Sequence, residues 1–93
     1  MFSAQRTNVI ESDHGFSVEV LGRTGLRYVE GERSLHIDSE VLAGPPGIAI
    51  YTASIKNWSP PNADESIDGG TKTRIIENIR DAFRFRGFEI DVF

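Results

Sequence analysis

Near the C-terminal end, Ile75, Ile76, Ile79, Ala82 and Phe83 recur at i, i+1, i+4, i+7 and i+8. That is the period of a helix with one buried face. Arg74, Glu77, Asp81 and Arg84 fall on the opposite, wet side. Thr71 or Asp68 is placed to cap the first free N–H groups, and Arg84 and Arg86 complement the negative end of the helix dipole. Gly87 stands where a left-handed residue commonly ends a helix. A single helix cannot cover its own apolar stripe, so its cover must come from residues with a different period.

Those residues alternate. Phe16, Val18 and Val20 point one way and Ser17 and Glu19 the other, the period of a half-buried strand. Gly22-Arg23-Thr24-Gly25 reads as a turn into a strand over residues 26–29, and Glu30-Gly31-Glu32-Arg33 as a hairpin turn into the next. There Leu35, Ile37 and Val41 share a face opposite His36 and Asp38. Residues 43–47, with two prolines between glycines, break regular structure. The apolar run Ile48-Ala49-Ile50-Tyr51 is the expected central strand, with Tyr51, Ala53 and Ile55 sharing a face beyond it. Trp58 and Ser59-Pro60-Pro61 close it, and residues 62–70 read as a polar, mobile loop. Phe88, Ile90 and Val92 alternate with Glu89 and Asp91, so a final strand docks back onto the sheet. Residues 1–15 read as a loosely ordered lead-in, with Val9 and Ile10 the candidates for a short strand and Asp13-His14-Gly15 a turn cluster.

The expected fold is therefore α+β, with residues 1–93 a single domain. It has a mainly antiparallel sheet of about five or six short strands, one amphipathic C-terminal helix packed on it, and a final strand. Ninety-three residues support one core. Apolar residues at 39% and charged residues at 26% describe a packed chain and not a disordered one. Cysteine is absent, which removes disulfides, thiolate metal sites and thiol chemistry. Residues 1–8 hold no apolar signal segment, and no run approaches the roughly 18 apolar residues that span a bilayer. A cytoplasmic location with no membrane partner follows as the expectation. The net charge of −4 opposes attraction to phosphate backbones, so no nucleic-acid partner is expected.

Among chemistry-bearing residues, His36 and Asp38 project together from one strand and offer nitrogen and oxygen to a metal. A third ligand is missing unless Asp13 and His14 fold over that face; otherwise the pair is a solvated strand surface. Neither histidine stands in a recognisable arrangement with Ser34, Ser39, Ser54 or Ser59, and no G-x-S-x-G elbow occurs. Residues 22–25 lack the Lys-Ser/Thr and the following helix of a phosphate-binding loop. The expectation is a protein that is not an enzyme and carries no cofactor. Arg80, Arg84 and Arg86, with Arg23, Arg27 and Arg33, form either a basic patch or ordinary ion pairs with Glu77, Asp81, Glu30 or Glu32. Trp58, with Tyr51 and Tyr28, forms either an aromatic anchor set at an interface or a lid on the core.

Three stretches carry a family likeness: Gly22-Arg23-Thr24-Gly25-Leu26-Arg27-Tyr28-Val29-Glu30-Gly31, Ser39-Glu40-Val41-Leu42-Ala43-Gly44-Pro45-Pro46-Gly47-Ile48-Ala49-Ile50-Tyr51, and Ile79-Arg80-Asp81-Ala82-Phe83-Arg84-Phe85-Arg86-Gly87-Phe88-Glu89-Ile90. Over residues 22–93 the chain resembles the immunity protein 74 family of bacterial polymorphic toxin systems. The resemblance implies a small bacterial cytoplasmic protein encoded beside a toxin, which binds and occludes that cognate toxin and brings no catalytic residues of its own. Taken with the acidic charge, it makes Glu30, Glu32, Asp38 and Glu40 the candidates to cover a basic active site, and Tyr28 and Trp58 the candidate anchors. A generic module that adds a partner's strand at a sheet edge is the alternative. A metal-dependent or acid–base enzyme using His36 and Asp38 comes third.

Overall fold

The computed structural model describes residues 2–6, 9–22, 24–41 and 47–93, with side chains from residue 9 onward within those ranges. Among the described residues six strands precede the helix and one follows it. They are β1 Phe2–Arg6, β2 Val9–Ser12, β3 Phe16–Val20, β4 Gly25–Glu30, β5 Arg33–Val41 and β6 Gly47–Ile50, then helix α1 Gly69–Phe85 and strand β7 Glu89–Val92. In the sheet they stand in sequence order. Every neighbouring pair is antiparallel except β6 and β7, which run parallel. A parallel neighbour needs a crossover that returns the chain to the same end, and α1 lies in that crossover. The chain thus forms the α+β architecture read from its periodicities. The turn at Arg23 and the break over residues 43–46 lie outside the described residues.

Alternation sets the register. Ile10 pairs with Val18, Val18 with Tyr28, and Tyr28 with Leu35, so one row of apolar side chains crosses four strands on one face. Between the paired Glu30 and Arg33 the hairpin turns on two residues, and Gly31 takes the positive φ of 62° that such a turn requires. Strand β5 pairs with β4 through residues 33–38 and with β6 through residues 39–41. One long strand therefore joins the N-terminal meander to the β6–β7 pair.

The inner face of the sheet buries the helix stripe. Ile75, Ile79, Ala82 and Phe83 join Val18, Leu26, Leu35, Ile37, Ile50 and Ile90 in one cluster, and each of the larger side chains contributes about 1.5–3 kcal/mol when fully buried. Tyr28 is its centre, stacked on Phe16 at 5.8 Å and on Trp58 at 6.5 Å between ring centroids. Its hydroxyl donates to Glu30 Oε1 at 2.7 Å and accepts from Asn78 Nδ2 of the helix at 2.9 Å. Arg74, one turn earlier on α1, donates to both oxygens of Glu30. Burial raises the Tyr28 phenol well above its ordinary range, partly opposed by the Asn78 bond.

The helix ends are closed as their sequence implies. Asp68 is the N-cap and accepts from the Thr71 N–H at 2.7 Å. At the other end the Gly87 N–H bonds Arg84 O and the Phe88 N–H bonds Phe83 O, with Gly87 at φ 83°. This pair of bonds is the Schellman closure that a left-handed glycine permits.

Some sequence expectations are revised. Where residues 1–15 read as a loose lead-in, two strands add to the sheet: β2 pairs with β3, and β1 with β2. Ile10 enters the core and Val9 is buried as well. The reason is the edge of β3, whose backbone groups would otherwise stay unpaired. Strand β6 is interior but not central, because β4 holds the middle of the order. The alternation of Tyr51, Ala53 and Ile55 is not strand, since Thr52–Ser54 forms a 3-10 turn. There the Ser54 hydroxyl bonds Tyr51 O at 2.7 Å and the Ile55 N–H bonds Thr52 O at 2.9 Å. Val41 lies past the helix-covered part of β5 and is 45% exposed. Residues 62–70 are not all loop: Gly69 and Gly70 open the helix. The rest is tied down by an Asn57–Ser66 bridge, an Arg33–Glu65 ion pair at 2.7 Å and an Asn62–Glu65 bond at 2.7 Å.

Two expectations follow. Trp58→Ala opens a cavity beside Tyr28 and costs about 3–5 kcal/mol, a large part of a small domain's total, read as a drop in denaturation midpoint. Asp68 is held below its usual range by the Thr71 N–H, and Glu65 by the Arg33 guanidinium and Asn62. Folded-state pKa values below the unfolded ones give stability that is complete above the ordinary carboxylate range near pH ~4 and lost as the pH falls through the folded values. The urea midpoint should therefore be flat from neutral to about pH 5 and fall below it, with a shallower fall in Glu65→Gln.

Candidate partner-binding surface

Because α1 packs on the inner face, the outward face of β5, β6 and β7 has no helix over it among the described residues. Along β5 this face presents His36, Asp38 and Glu40, all exposed. Register then places Glu40 beside Ala49 of β6, and Ala49 beside Asp91 of β7, in one row across three strands. Ala49 is buried and the two carboxylates flanking it are exposed. Just past the strand ends, the Tyr51 and Phe93 rings stack at 5.9 Å with 28° between planes. Tyr51 is 36% and Phe93 63% exposed. The Tyr51 hydroxyl donates to Glu40 Oε2 at 2.9 Å, and this bond to a carboxylate raises the phenol above its ordinary value.

The six residues singled out from the sequence do not form one site. Tyr28 and Trp58 are buried in the core column and present no surface, in keeping with the core-lid alternative for Trp58. Glu30 is engaged by the Tyr28 hydroxyl and Arg74. Glu32 is exposed on the turn between β4 and β5. Of the six only Asp38 and Glu40 share the outward face, and they share it with Tyr51, Asp91 and Phe93.

Other constellations resolve locally. His36 Nδ1 stands 3.8 Å from Asp38 Oδ1, while its Nε2 lies over Gly25, 2.7 Å from where a Cβ would be. No group of three or more His, Cys, Asp or Glu side chains among the described residues is arranged to hold a metal. An open depression of about 560 Å³ beside His36 is lined by Arg27, Val29, Ser34, Ser59 and Pro60 among others, with no hydrogen bond from a serine hydroxyl to a histidine there. Five arginines are paired: Arg27 with Glu19, Arg33 with Glu65, Arg74 with Glu30, Arg80 with Glu77 and Arg84 with Glu89. The basic-patch alternative thus gives way to ion pairing at these five. No helix among the described residues is long and apolar enough to cross a membrane.

Residues 17–93 match the family described as immunity protein 74. The chain belongs to the immunity protein 74 family. The match runs from inside β3 to Phe93, so it contains the whole outward face of β5–β7 and leaves β1 and β2 before its start. No curated protein and no solved structure matches this chain.

Sequence alone does not mark Asp91 and Phe93 as site residues, because only the parallel pairing of β6 with β7 puts Asp91 across Ala49 from Glu40 and Phe93 beside Tyr51. A weak signal exists in the C-terminal alternation, which sends Asp91 and Phe93 to the side opposite Ile90. The Glu40–Tyr51 bond is open to a direct check. In Glu40→Gln the first tyrosine to ionise on alkaline titration should do so at lower pH than in the parent, followed by ultraviolet absorbance, with the Tyr28 transition remaining the later one.

Proposed function

We propose that this chain acts as an immunity protein, binding a cognate toxin in the cytoplasm of a bacterial cell and neutralising it by occlusion. Membership of the immunity protein 74 family over residues 17–93 is the observation that carries the reading. Physical chemistry is in keeping with it. Occlusion requires a surface that is already ordered when the partner arrives, because ordering loops on binding subtracts from affinity. A helix locked to a sheet through Tyr28, Asn78, Glu30 and Arg74 supplies such a scaffold. The acidic balance, with net charge −4, favours encounter with a cationic surface of the kind that binds nucleic acid or other anions. The partner is then a toxin protein, with neither nucleic acid nor membrane required.

Strand addition at a sheet edge is the second reading, and β7 is the edge that favours it. Its residues Glu89 and Asp91 oppose that use, since edge charges discourage a further strand. Catalysis by His36 and Asp38 has the least support: the pair is exposed, and among the described residues no third metal ligand joins it.

Co-expression with the reading frame adjacent to this gene tests the proposal. The neighbour alone should stop growth, the pair should restore it, and the two proteins should co-elute as a complex on size exclusion. A toxic neighbour that stays toxic, with no complex formed, would overturn it.

A further inference from the structure

The outward face of β5–β7 combines two properties that occur together nowhere else among the described residues. Asp38, Glu40 and Asp91 have no arginine or lysine partner there, whereas Glu19, Glu30, Glu65, Glu77 and Glu89 each have an arginine. Beside these three carboxylates two aromatic rings stand exposed and stacked. Resting on the toxin-binding reading, we propose that this face is the docking surface and that it receives a cationic protein surface, arginine or lysine side chains laid against Tyr51 and Phe93 with their charged ends on Glu40, Asp91 and Asp38.

The chemistry of the patch selects that occupant. A guanidinium or ammonium gains from an aromatic face and a carboxylate at once, and the gain grows as water is displaced. An anionic partner is repelled, and so is a second copy of the same face, which would set three carboxylates against three. The row Glu40–Ala49–Asp91 sets two exposed acids on either side of a buried alanine, so a long cationic side chain lies over the row and reaches a carboxylate at either end. Glu40 is oriented by a neutral phenol and so keeps its charge available.

The patch is also ordered in advance. The Phe93 N–H bonds Ile50 O at 2.9 Å, and Phe93 O accepts from the Thr52 N–H at 2.9 Å and from Thr52 Oγ1 at 2.6 Å. The Tyr51 N–H bonds Asp38 O at 2.9 Å, and the Asp38 N–H bonds Ser54 Oγ at 3.0 Å. Backbone fixed on both sides of the ring pair lowers the entropy lost when a partner binds. Such pre-set aromatics beside charged groups have the make-up of an interface hot spot.

The test measures the affinity of the full chain for the purified product of the adjacent toxin gene by calorimetry, with circular dichroism to show that each variant is folded. Glu40→Lys/Asp91→Lys should weaken binding roughly a hundredfold, and Phe93→Ala at least about tenfold. Glu77→Lys/Asp81→Lys, on the wet side of α1, should bind like the parent. If the charge reversal perturbs folding, Glu40→Gln/Asp91→Asn takes its place and should weaken binding and flatten its dependence on salt. A parent that does not bind the neighbouring toxin removes the functional reading itself. A parent that binds, with the folded face variants unchanged, leaves that reading standing and overturns the docking surface.

Discussion

The Tyr28 side chain is where three parts of the molecule meet. Its ring is the middle of a stack between Phe16 of β3 and Trp58 of the β6–α1 connection, and its hydroxyl is bonded by Asn78 of the helix. A purely apolar contact would let the helix slide along the sheet at little cost. A buried phenol with one donor and one acceptor to satisfy permits only the placement that brings Asn78 to it and Glu30 within reach, because an unpaired polar group there costs about 1–3 kcal/mol. Arg74 then completes the linkage from the solvent side through Glu30.

That placement of the helix decides what the other face of the sheet does. With the inner face consumed by Ile75, Ile79, Ala82 and Phe83, the polar half of each strand's alternation is turned outward. On β3 and β4 the outward charges answer one another, as Glu19 and Arg27 do. On β5–β7 Glu89 is answered by Arg84 and His36 stands near Asp38, but Asp38, Glu40 and Asp91 meet no arginine or lysine among the described residues, and the aromatic pair at the strand ends lies beside them. A domain this small has few surfaces from which to act, and this one keeps its charge uncompensated within the fold.

How far the sequence discloses this can be traced residue by residue. The helix stripe, its Asp68 cap and the Gly87 closure are local, each set by contacts within a few residues, and all are legible. So are the β3–β4–β5 hairpins, whose turns carry glycines at short range. Of the β1–β2 pair only Val9 and Ile10 are legible as strand, because its other residues carry little apolar alternation and its purpose, pairing the edge of β3, exists only once β3 has neighbours. The site divides the same way. Asp38 and Glu40 can be read as exposed from alternation along β5. Tyr28 and Trp58 looked like anchors because aromatic side chains serve core and interface equally well, and only burial tells them apart.

By itself, the sequence determined the kinds of element, the face each side chain takes along its own strand or helix, and the sign of the overall charge, since these follow from periods of 2 and 3.6 and from composition. Tertiary structure alone decided which strands are neighbours: that β5 changes partner midway, that β7 returns parallel to β6, and that Glu40, Tyr51, Asp91 and Phe93 come together from three separate segments. Alternation specifies up and down for each strand, but side-by-side placement is settled by backbone pairing and shared burial between residues far apart in the chain.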